Sequence, residues 1–190
     1  MMKSKQSLFL VQEKILKDAG CEDYNKSTKL LFSTAFKIPL AQSYEYHTYV
    51  GSNKNSSFFM DLVSRRAVGE PISHIVNSKA FWKNDFYIDE TVLDPRPESE
   101  LIIDITKDLL FDGMRVLDLG CGSGCIGISL YKENSNISLF LADSSKQAIR
   151  ISKKNAAELN TECELIHSFL FAKISGKFDL IVTNLPYISK

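Results

Sequence analysis

The residues best suited to chemistry in this chain begin with a glycine-rich turn between two apolar segments. Residues Arg115–Leu119 have the aliphatic character of a buried parallel strand, and they run directly into Gly120-Cys121-Gly122-Ser123-Gly124. Glycines at alternate positions let the backbone turn sharply and approach a ligand without Cβ clashes. The next apolar segment, residues 137–142, closes on Asp143, whose carboxylate could accept two hydrogen bonds from a ribose diol. A strand, a glycine turn, a helix and an acid about 20 residues on together predict a nucleotide-binding unit.

The spacing of the glycines favours one class of ligand over another. A dinucleotide fingerprint reads G-x-G-x-x-G, and a P-loop carries a lysine that holds phosphates. This chain reads G-x-G-x-G, with Asp118 just ahead of the loop and no lysine in it. An uncharged or cationic nucleoside therefore suits the loop better than a diphosphate. Residues 116–124 resemble the cofactor loop of class I S-adenosylmethionine-dependent methyltransferases, so the expected cofactor is S-adenosylmethionine.

A second loop with chemical potential follows the apolar residues 179–182. Its residues are Asn184, Leu185, Pro186 and Tyr187. It resembles the Asn-Pro-Pro-Tyr motif of methyltransferases that modify amide or exocyclic amine nitrogens. An amide nitrogen is a poor nucleophile because its lone pair is delocalised into the carbonyl. The side-chain oxygen of Asn184 and the backbone carbonyl of Leu185 could each accept one N–H, which would orient that nitrogen and stabilise its developing positive charge.

The other residues of this loop modify that expectation. Tyr187 offers a flat face that can pack on a planar acceptor group. Leu185 stands where the motif has its first proline; it keeps the carbonyl but restores an N–H group and a free φ, so we expect a looser acceptor geometry. A turn in which Asn184 and Pro186 simply end a strand is the alternative reading of the same tetrapeptide.

Hydrophobic periodicity predicts the elements that must position these two loops. Strands are expected at residues 115–119, 137–142, 164–166 and 178–183, and they alternate with helices. Ser144 or Ser145 should cap the helix that ends near Leu159. This alternation predicts a doubly wound, mostly parallel α/β sheet. Ligands of such sheets lie outside the carboxyl ends of the strands, which is where both loops occur.

The first half of the chain has a different texture. The first helix is predicted from apolar residues at helical spacing, namely Leu8, Val11, Ile15 and Ala19. Ser27 is expected to cap a second helix, and a third should end at Gly69. Residues 69–97 space apolar residues with polar ones, which indicates short strands in a hairpin. We therefore expect a helical domain at 1–78, a hairpin linker at 79–97 and a partial, Rossmann-like methyltransferase domain at 98–190.

Residues 94–97 form a rigid connection into the last domain. Two prolines with one residue between them hold Asp94-Pro95-Arg96-Pro97 extended. Arg96 is either a solvated charge of the linker or a residue at the entrance of the cofactor site. Ser99 is predicted to cap the helix that follows.

Composition disfavours several classes of protein. The 190 residues include 23 basic and 23 acidic side chains, so no electrostatic footprint argues for direct binding of nucleic acid. The four cysteines lack paired C-x-x-C spacing, which argues against a zinc site or a disulfide framework. No apolar run approaches the ~18 residues of a membrane span, and the first residues carry lysines without a long apolar region, so we expect neither membrane insertion nor secretion. We expect a cytoplasmic protein with neither a metal nor a membrane partner.

The order of motifs along the whole chain resembles one family. These motifs are Gly69-Glu70-Pro71-Ile72, Phe81-Trp82, Pro95-Arg96-Pro97-Glu98-Ser99-Glu100, the glycine loop, Asn155-Ala156 and Asn184-x-Pro186-Tyr187-Ile188. They are similar in kind and order to those of the release-factor glutamine methyltransferases. A small helical domain before a hairpin and a methyltransferase domain also looks like that family.

The resemblance implies an activity and a set of site residues. The activity is methylation of the glutamine side-chain amide in the Gly-Gly-Gln motif of peptide chain release factors. Residues 120–124, Asp143 and Asn184 would bind S-adenosylmethionine, and residues 184–187 would hold the glutamine. Leu170 would pack on the adenine, although the acid that the family usually places beside that ring is absent here. The helical domain would help to dock the release factor.

Two other functions stay open, and one expectation concerns the sheet. A non-catalytic module could still dock a release factor, and an amino-methylating nucleic-acid methyltransferase would share the Asn184 loop but should carry a basic face. The family continues with further strands, whereas Lys190 comes just past the fourth predicted strand. That strand is therefore expected to be an open edge. We expect either an inactive fragment or a partner chain that completes the sheet.

Overall fold

The structure is a computed structural model that describes residues 7–41 and 54–185. The chain divides into two compact units between Val76 and Asn77. The division falls two residues ahead of the predicted end of the helical domain, and it groups the hairpin with the second unit. The predicted three-part arrangement itself stays a prediction.

The first unit is helical in its described part. Its helices are α1 (Leu8–Asp18), α2 (Tyr24–Phe36), α3 (Lys54–Ala67) and the short α4 (Ile72–Val76). The centre of its core is Phe32, whose ring meets the rings of Phe9 and Phe59 edge-on, with centroids 5.7 Å and 5.2 Å away. Leucine and valine side chains of α1, α2 and α3 complete this core. The unit therefore has a hydrophobic core of its own.

Two details predicted for this unit are wrong, namely the buried face of the first helix and the cap of the second. In α1 the buried residues are Phe9, Gln12 and Leu16, whereas Val11 and Ile15 are 37% and 42% exposed. The apolar run 8–11 surrounds the helix, so spacing alone could not select the face. Ser27 does not cap α2, because the helix begins earlier and the Ser27 hydroxyl accepts a hydrogen bond from Arg66. Residues 72–76, which fall inside the predicted helical domain, form α4.

The second unit begins with the predicted hairpin and continues as an α/β sheet. Strands β1 (Lys79–Phe81) and β2 (Asn84–Phe86) pair antiparallel. The remaining elements in chain order are α5 (Glu100–Thr106), β3 (Arg115–Leu119), α6 (Cys125–Glu133), β4 (Ser138–Asp143), α7 (Lys146–Glu158), β5 (Cys163–His167) and β6 (Leu180–Thr183). Strands β3 to β6 form one parallel sheet in the order β5-β4-β3-β6. The predicted parallel α/β fold is confirmed.

The two faces of this sheet are covered by different parts of the chain. Val116, Leu139 and Leu141 face a core that includes residues of α5, α6 and α7. Leu117 and Phe140 face the other way, toward Ile174 and Phe178 of the segment between β5 and β6. The chain therefore changes face after β5 and reaches β6 on the far side of β3. This reversal is the doubly wound arrangement, and it creates a crevice at the carboxyl ends of β3 and β6.

Arg115, the first residue of β3, fastens the returning segment to the sheet. Its guanidinium carbon lies 4.5 Å from the ring centroid of Phe140 and 5.1 Å from that of Phe178. Its Nε donates to the Lys177 carbonyl at 2.9 Å, and its backbone N–H donates to the Asp179 carboxylate at 2.8 Å. These contacts fix the start of β6 and, through the strand, the position of the loop that follows it.

None of the helices in the described ranges combines the length and apolar character that a membrane span requires. A cytoplasmic location stays a prediction.

Candidate active site

The loops after β3, β4 and β6 meet at one cavity of about 260 Å³. Most of the residues singled out in the sequence line it: Gly120, Cys121, Gly122, Ser123, Asp143, Asn184 and Leu185. Arg96 also lines the wall, at the entrance, while its side chain stays exposed to solvent. Pro186 and Tyr187 lie outside the described residues. The structure thus brings both predicted loops to the same end of the sheet.

The glycine loop turns through three left-handed residues. Gly120, Gly122 and Gly124 have φ values of 74°, 55° and 79°, which side chains other than glycine rarely adopt. A Cβ on Gly120 would lie 2.5 Å from the Cδ2 atom of Leu185, so the loop and the Asn184 segment are in close contact. A Cβ on Gly122 would meet no atom within 4 Å, and the backbone there is open to the cavity.

Asp143 holds the loop while it lines the cavity. One carboxylate oxygen accepts the Gly122 N–H at 2.9 Å, and the other accepts the Ser145 N–H at 2.8 Å. A carboxylate offers about four acceptor positions, so two remain for a ligand. Ser145, one of the two residues predicted to cap α7, is the cap: its hydroxyl accepts the Ala148 N–H at 3.3 Å.

The close approach of α6 to the sheet depends on a residue that the sequence analysis missed. Gly127 lies inside α6, where a Cβ would be 2.5 Å from Leu141 Cδ2 and 3.0 Å from Asp118 Cβ. Its N–H donates to the Asp118 carboxylate at 2.9 Å. Because Asp118 is fully buried, desolvation raises the pKa of its carboxyl to about 7, although the bond from Gly127 opposes this. The sequence did offer a signal, because a glycine inside a helix often marks a place where the helix packs closely against its neighbour.

The two cysteines of this region are buried packing groups. Burial raises the pKa of the Cys125 thiol to about 12 and raises that of Cys121 as well. Both thiols are therefore protonated at neutral pH and are poor nucleophiles.

A buried amide ties the linker to the glycine loop. The Oδ1 atom of Asn155 accepts the Tyr87 N–H at 2.8 Å, and its Nδ2 donates to the Tyr87 carbonyl at 2.9 Å and the Ser123 carbonyl at 2.8 Å. The Arg150–Asp89 ion pair, 3.2 Å long, adds a second attachment to α7. The linker that carries Arg96 is therefore fixed against the site. The resemblance to the family included Asn155, but spacing gave no hint of these partners.

Asn184 is positioned by contacts on both sides. The hydroxyl of the preceding residue, Thr183, donates to the Leu119 carbonyl at 2.8 Å and joins the ends of β6 and β3. The Asn184 Nδ2 donates to the Ser99 hydroxyl at 2.7 Å. Ser99 occupies the predicted N-cap position of α5, but its side chain makes no capping bond and contacts Asn184 instead. Within the described ranges, the Oδ1 of Asn184 accepts no hydrogen bond.

A second cavity of about 540 Å³ adjoins the first. It is lined by Glu98 and Ile102 and by residues shared with the first cavity: Leu93, Arg96, Ser99, Asn184 and Leu185. Asn184 therefore lies where two spaces of ligand size meet, which suits a reaction between two bound molecules.

Two predicted cofactor residues do not line either cavity. Gly124 begins α6, where a Cβ would lie 3.0 Å from Ile128 Cδ1 and 3.2 Å from the Ser152 hydroxyl. Leu170 lies in the turn after β5 with a φ of 46°, and its carbonyl accepts a hydrogen bond from the Ser168 hydroxyl at 2.9 Å. The structure does not bring Leu170 to the other site residues, and its contact with adenine stays a prediction.

Comparison with known proteins agrees with this architecture. The family model described as "Methyltransferase small domain" matches residues 97–190. The release factor glutamine methyltransferase of Agrobacterium fabrum is 33% identical over 94% of this chain and 65% of its own length. That of Caulobacter vibrioides is 34% identical over 91% and 62%. A T. thermophilus 16S rRNA N2 methyltransferase, solved with AdoMet and guanosine, superposes with a TM-score of 0.52 at 21% identity, covering 58% of this chain and 32% of that one.

The parallel sheet with its glycine loop after β3 defines the class, since the second unit has the class I methyltransferase fold. Within that class the chain is similar over most of its length to release factor glutamine methyltransferases, in agreement with the resemblance seen in its motifs. The chain spans 65%, 62% and 57% of the first three curated relatives that it matches.

Proposed function

We propose that this chain binds S-adenosylmethionine at the glycine loop and directs its methyl group to the glutamine side chain of the Gly-Gly-Gln motif in peptide chain release factors. The observation that carries the proposal is the position of Asn184, at the junction of the two cavities and beside the glycine loop. The methyltransferase relatives support the class of reaction, and the family name supports the acceptor.

The residues of the first cavity fit the proposed cofactor. The backbone at Gly122 is open to the cavity, and Asp143 keeps acceptor positions for a ribose diol. The apolar side chains of Val92, Ala148 and Leu185 line the same space, which suits an aromatic base and a thioether. Bound there, S-adenosylmethionine would supply an electrophilic methyl group on a cationic sulfur.

The acceptor would be held by the loop after β6. The Asn184 Oδ1 is available for an amide N–H, and the Leu185 carbonyl is a second acceptor in the same loop. Two hydrogen bonds to one NH₂ group fix its plane and stabilise positive charge on the nitrogen as the new bond forms. The nitrogen then becomes acidic and loses a proton to solvent, so the site needs no strong base.

The helical unit is proposed as the docking surface for the release factor. It has its own core, and the cavity-lining residues all belong to the other unit. A separate unit of this kind can bind a protein substrate without contributing to the chemistry.

Methyl transfer from labelled S-adenosylmethionine to a purified release factor tests the proposal. We expect label in the release factor and none in its variant with the Gly-Gly-Gln glutamine changed to alanine. Asn184→Ala should lower the rate of transfer by roughly 10²–10³-fold and leave a measurable residual rate, whereas Asn136→Ala, which changes an exposed asparagine at the opposite end of β4, should not lower it.

Two results would overturn the proposal in different ways. Calorimetry that shows no heat of binding with millimolar S-adenosylmethionine, together with no transfer to any release factor, would indicate a non-catalytic module. Label recovered in ribosomal or transfer RNA instead of the release factor would indicate a nucleic-acid methyltransferase.

A further inference from the structure

The hydroxyl of Ser99 forms a hydrogen bond with a distant side chain, although Ser99 stands at the start of a helix. It lies at the start of α5, where a serine normally accepts a hydrogen bond from the first turn of the helix. Here no such bond is present, and the side chain reaches Asn184 Nδ2 at 2.7 Å across 85 positions of sequence. Ser99 is only 7% exposed. Because this buried hydroxyl bonds to Asn184 and not to the backbone of its own helix, it points to a role in the site.

The backbone that carries Ser99 is fixed by its neighbours. Pro95 and Pro97 restrain the approach to this residue, and Pro97–Ser99 form a single 3-10 turn. The Ser99 N–H donates to the Arg96 carbonyl at 3.0 Å. Ser99 also lines both cavities. The hydroxyl is therefore a rigid reference point beside the reacting groups.

The bond from Asn184 Nδ2 to the Ser99 hydroxyl anchors one end of the amide and leaves its oxygen free. A primary amide has one end that only donates and one end that only accepts hydrogen bonds. With Nδ2 bonded to Ser99, Oδ1 keeps its acceptor capacity and can accept a substrate N–H. Rotation of the amide by half a turn would present its NH₂ group to the NH₂ group of the substrate, and two donors cannot bond.

We propose that Ser99 is a positioning residue whose hydroxyl anchors the Asn184 amide through its Nδ2 and so holds its Oδ1 available as the acceptor for the substrate amide. This inference rests on the proposed function, because it assigns Ser99 to the same acceptor site. Ser99 itself touches neither reacting group in this role. It acts by holding Asn184, and its loss should lower the rate of transfer rather than the affinity for either substrate.

Steady-state kinetics of three variants test the kinetic consequence. Ser99→Ala should lower kcat about tenfold, the size expected for one hydrogen bond, with KM for the release factor and Kd for S-adenosylmethionine within about twofold of wild type. Ser99→Thr keeps the hydroxyl and should restore most of kcat. In the Asn184→Ala background, Ser99→Ala should have no further effect. A change in KM alone, or an additive loss in the double variant, would overturn the assignment.

Nuclear magnetic resonance of the full chain can detect the hydrogen bond between Ser99 and Asn184 without any measurement of enzyme activity. The side-chain NH₂ of Asn184 should be protected from solvent exchange in wild type and in Ser99→Thr, and unprotected in Ser99→Ala. Equal protection in wild type and Ser99→Ala would refute the role of Ser99 whatever the activity. Protection that follows the prediction, in a chain that transfers no methyl group, would instead refute the proposed function alone. A melting temperature of Ser99→Ala equal to that of wild type excludes an ordinary helix-capping role.

Discussion

Buried polar side chains at single positions hold the glycine loop of this protein in place. Asp118 accepts the Gly127 N–H beneath the loop, and Asn155 uses its amide to join Tyr87 to Ser123. Each is nearly inaccessible to solvent, so each hydrogen bond is made where water cannot replace it. The shape of the cofactor cavity therefore depends on residues that are not themselves exposed in it.

Asp118 should give the folded chain a measurable pH dependence. Burial raises the pKa of Asp118 to about 7 from an ordinary value of 3.8, so between these values the folded chain holds a proton that the unfolded chain releases. Its contribution to the free energy of unfolding is complete below about pH 4 and is lost as the pH rises through about 7. Asp118→Asn removes that dependence. Urea unfolding at about pH 5 and pH 8 should therefore show wild type losing more stability than the variant, and equal losses would contradict this account.

The same comparison has an internal control. Asp85→Asn removes an exposed carboxylate from the hairpin, and it should leave the pH dependence of unfolding as in wild type.

Gly127→Ala should destabilise the protein, although this change usually favours a helix. The gain in helix propensity is at most about 1 kcal/mol. The new methyl group would lie 2.5 Å from Leu141 Cδ2, and such overpacking typically costs about 1–3 kcal/mol. Urea unfolding should show a net loss of stability. Ser129→Ala in the same helix is the control: the Ser129 hydroxyl is buried with no partner in the described residues, so its removal should be neutral or stabilising.

At the scale of elements, three strand ends and one linker form the site. β3 delivers the glycine loop, β4 delivers Asp143, β6 delivers Asn184, and the linker before α5 delivers Arg96 and Ser99. Parallel strands place all three loops at one end, and the reversal at β3 opens the crevice between them. The position of β6 is the part that local sequence determines least, because that strand pairs with β3 over 60 residues away.

Arg115→Ala should loosen β6. The substitution removes the guanidinium between Phe140 and Phe178 and its bond to the Lys177 carbonyl, and we expect a loss of about 1–2 kcal/mol in stability. Hydrogen–deuterium exchange should become faster in residues 177–183 and stay unchanged in α1 and α2. Uniform acceleration across the chain, or none in β6, would show that Arg115 does not fasten this strand.

Features that depend on neighbouring residues were predicted correctly, whereas contacts between residues far apart in the sequence were not. β3, β4 and the cap of α7 at Ser145 are set by local apolar runs and capping residues, and the sequence predicted them closely. The partners of Ser99 and Asn155 are 85 and 68 positions away, so no local pattern could reveal them. Ser99 was predicted to be a cap because its local context is that of a cap. The buried face of α1 was predicted wrongly because its four consecutive apolar residues, 8–11, point to all sides of the helix.

At the scale of the molecule, the candidate active site and the core of the helical unit lie in two separate compact units. Phe32→Ala should destabilise the helical unit by about 3–5 kcal/mol, because Phe32 is fully buried between Phe9 and Phe59. Since the cofactor cavity is lined by the other unit alone, the Kd for S-adenosylmethionine should stay within about twofold of wild type. Differential scanning calorimetry and isothermal titration measure the two quantities. A Kd weakened more than about tenfold would show that the units are energetically coupled.

The account depends on one cavity that receives the ends of β3, β4 and β6, and a crystal structure with S-adenosylhomocysteine tests this most directly. We expect the ribose hydroxyls on the Asp143 carboxylate, the nucleoside against the glycine loop, and the sulfur directed toward the Asn184 amide oxygen. A ligand bound elsewhere, or bound with its sulfur turned away from Asn184, would contradict the central claim.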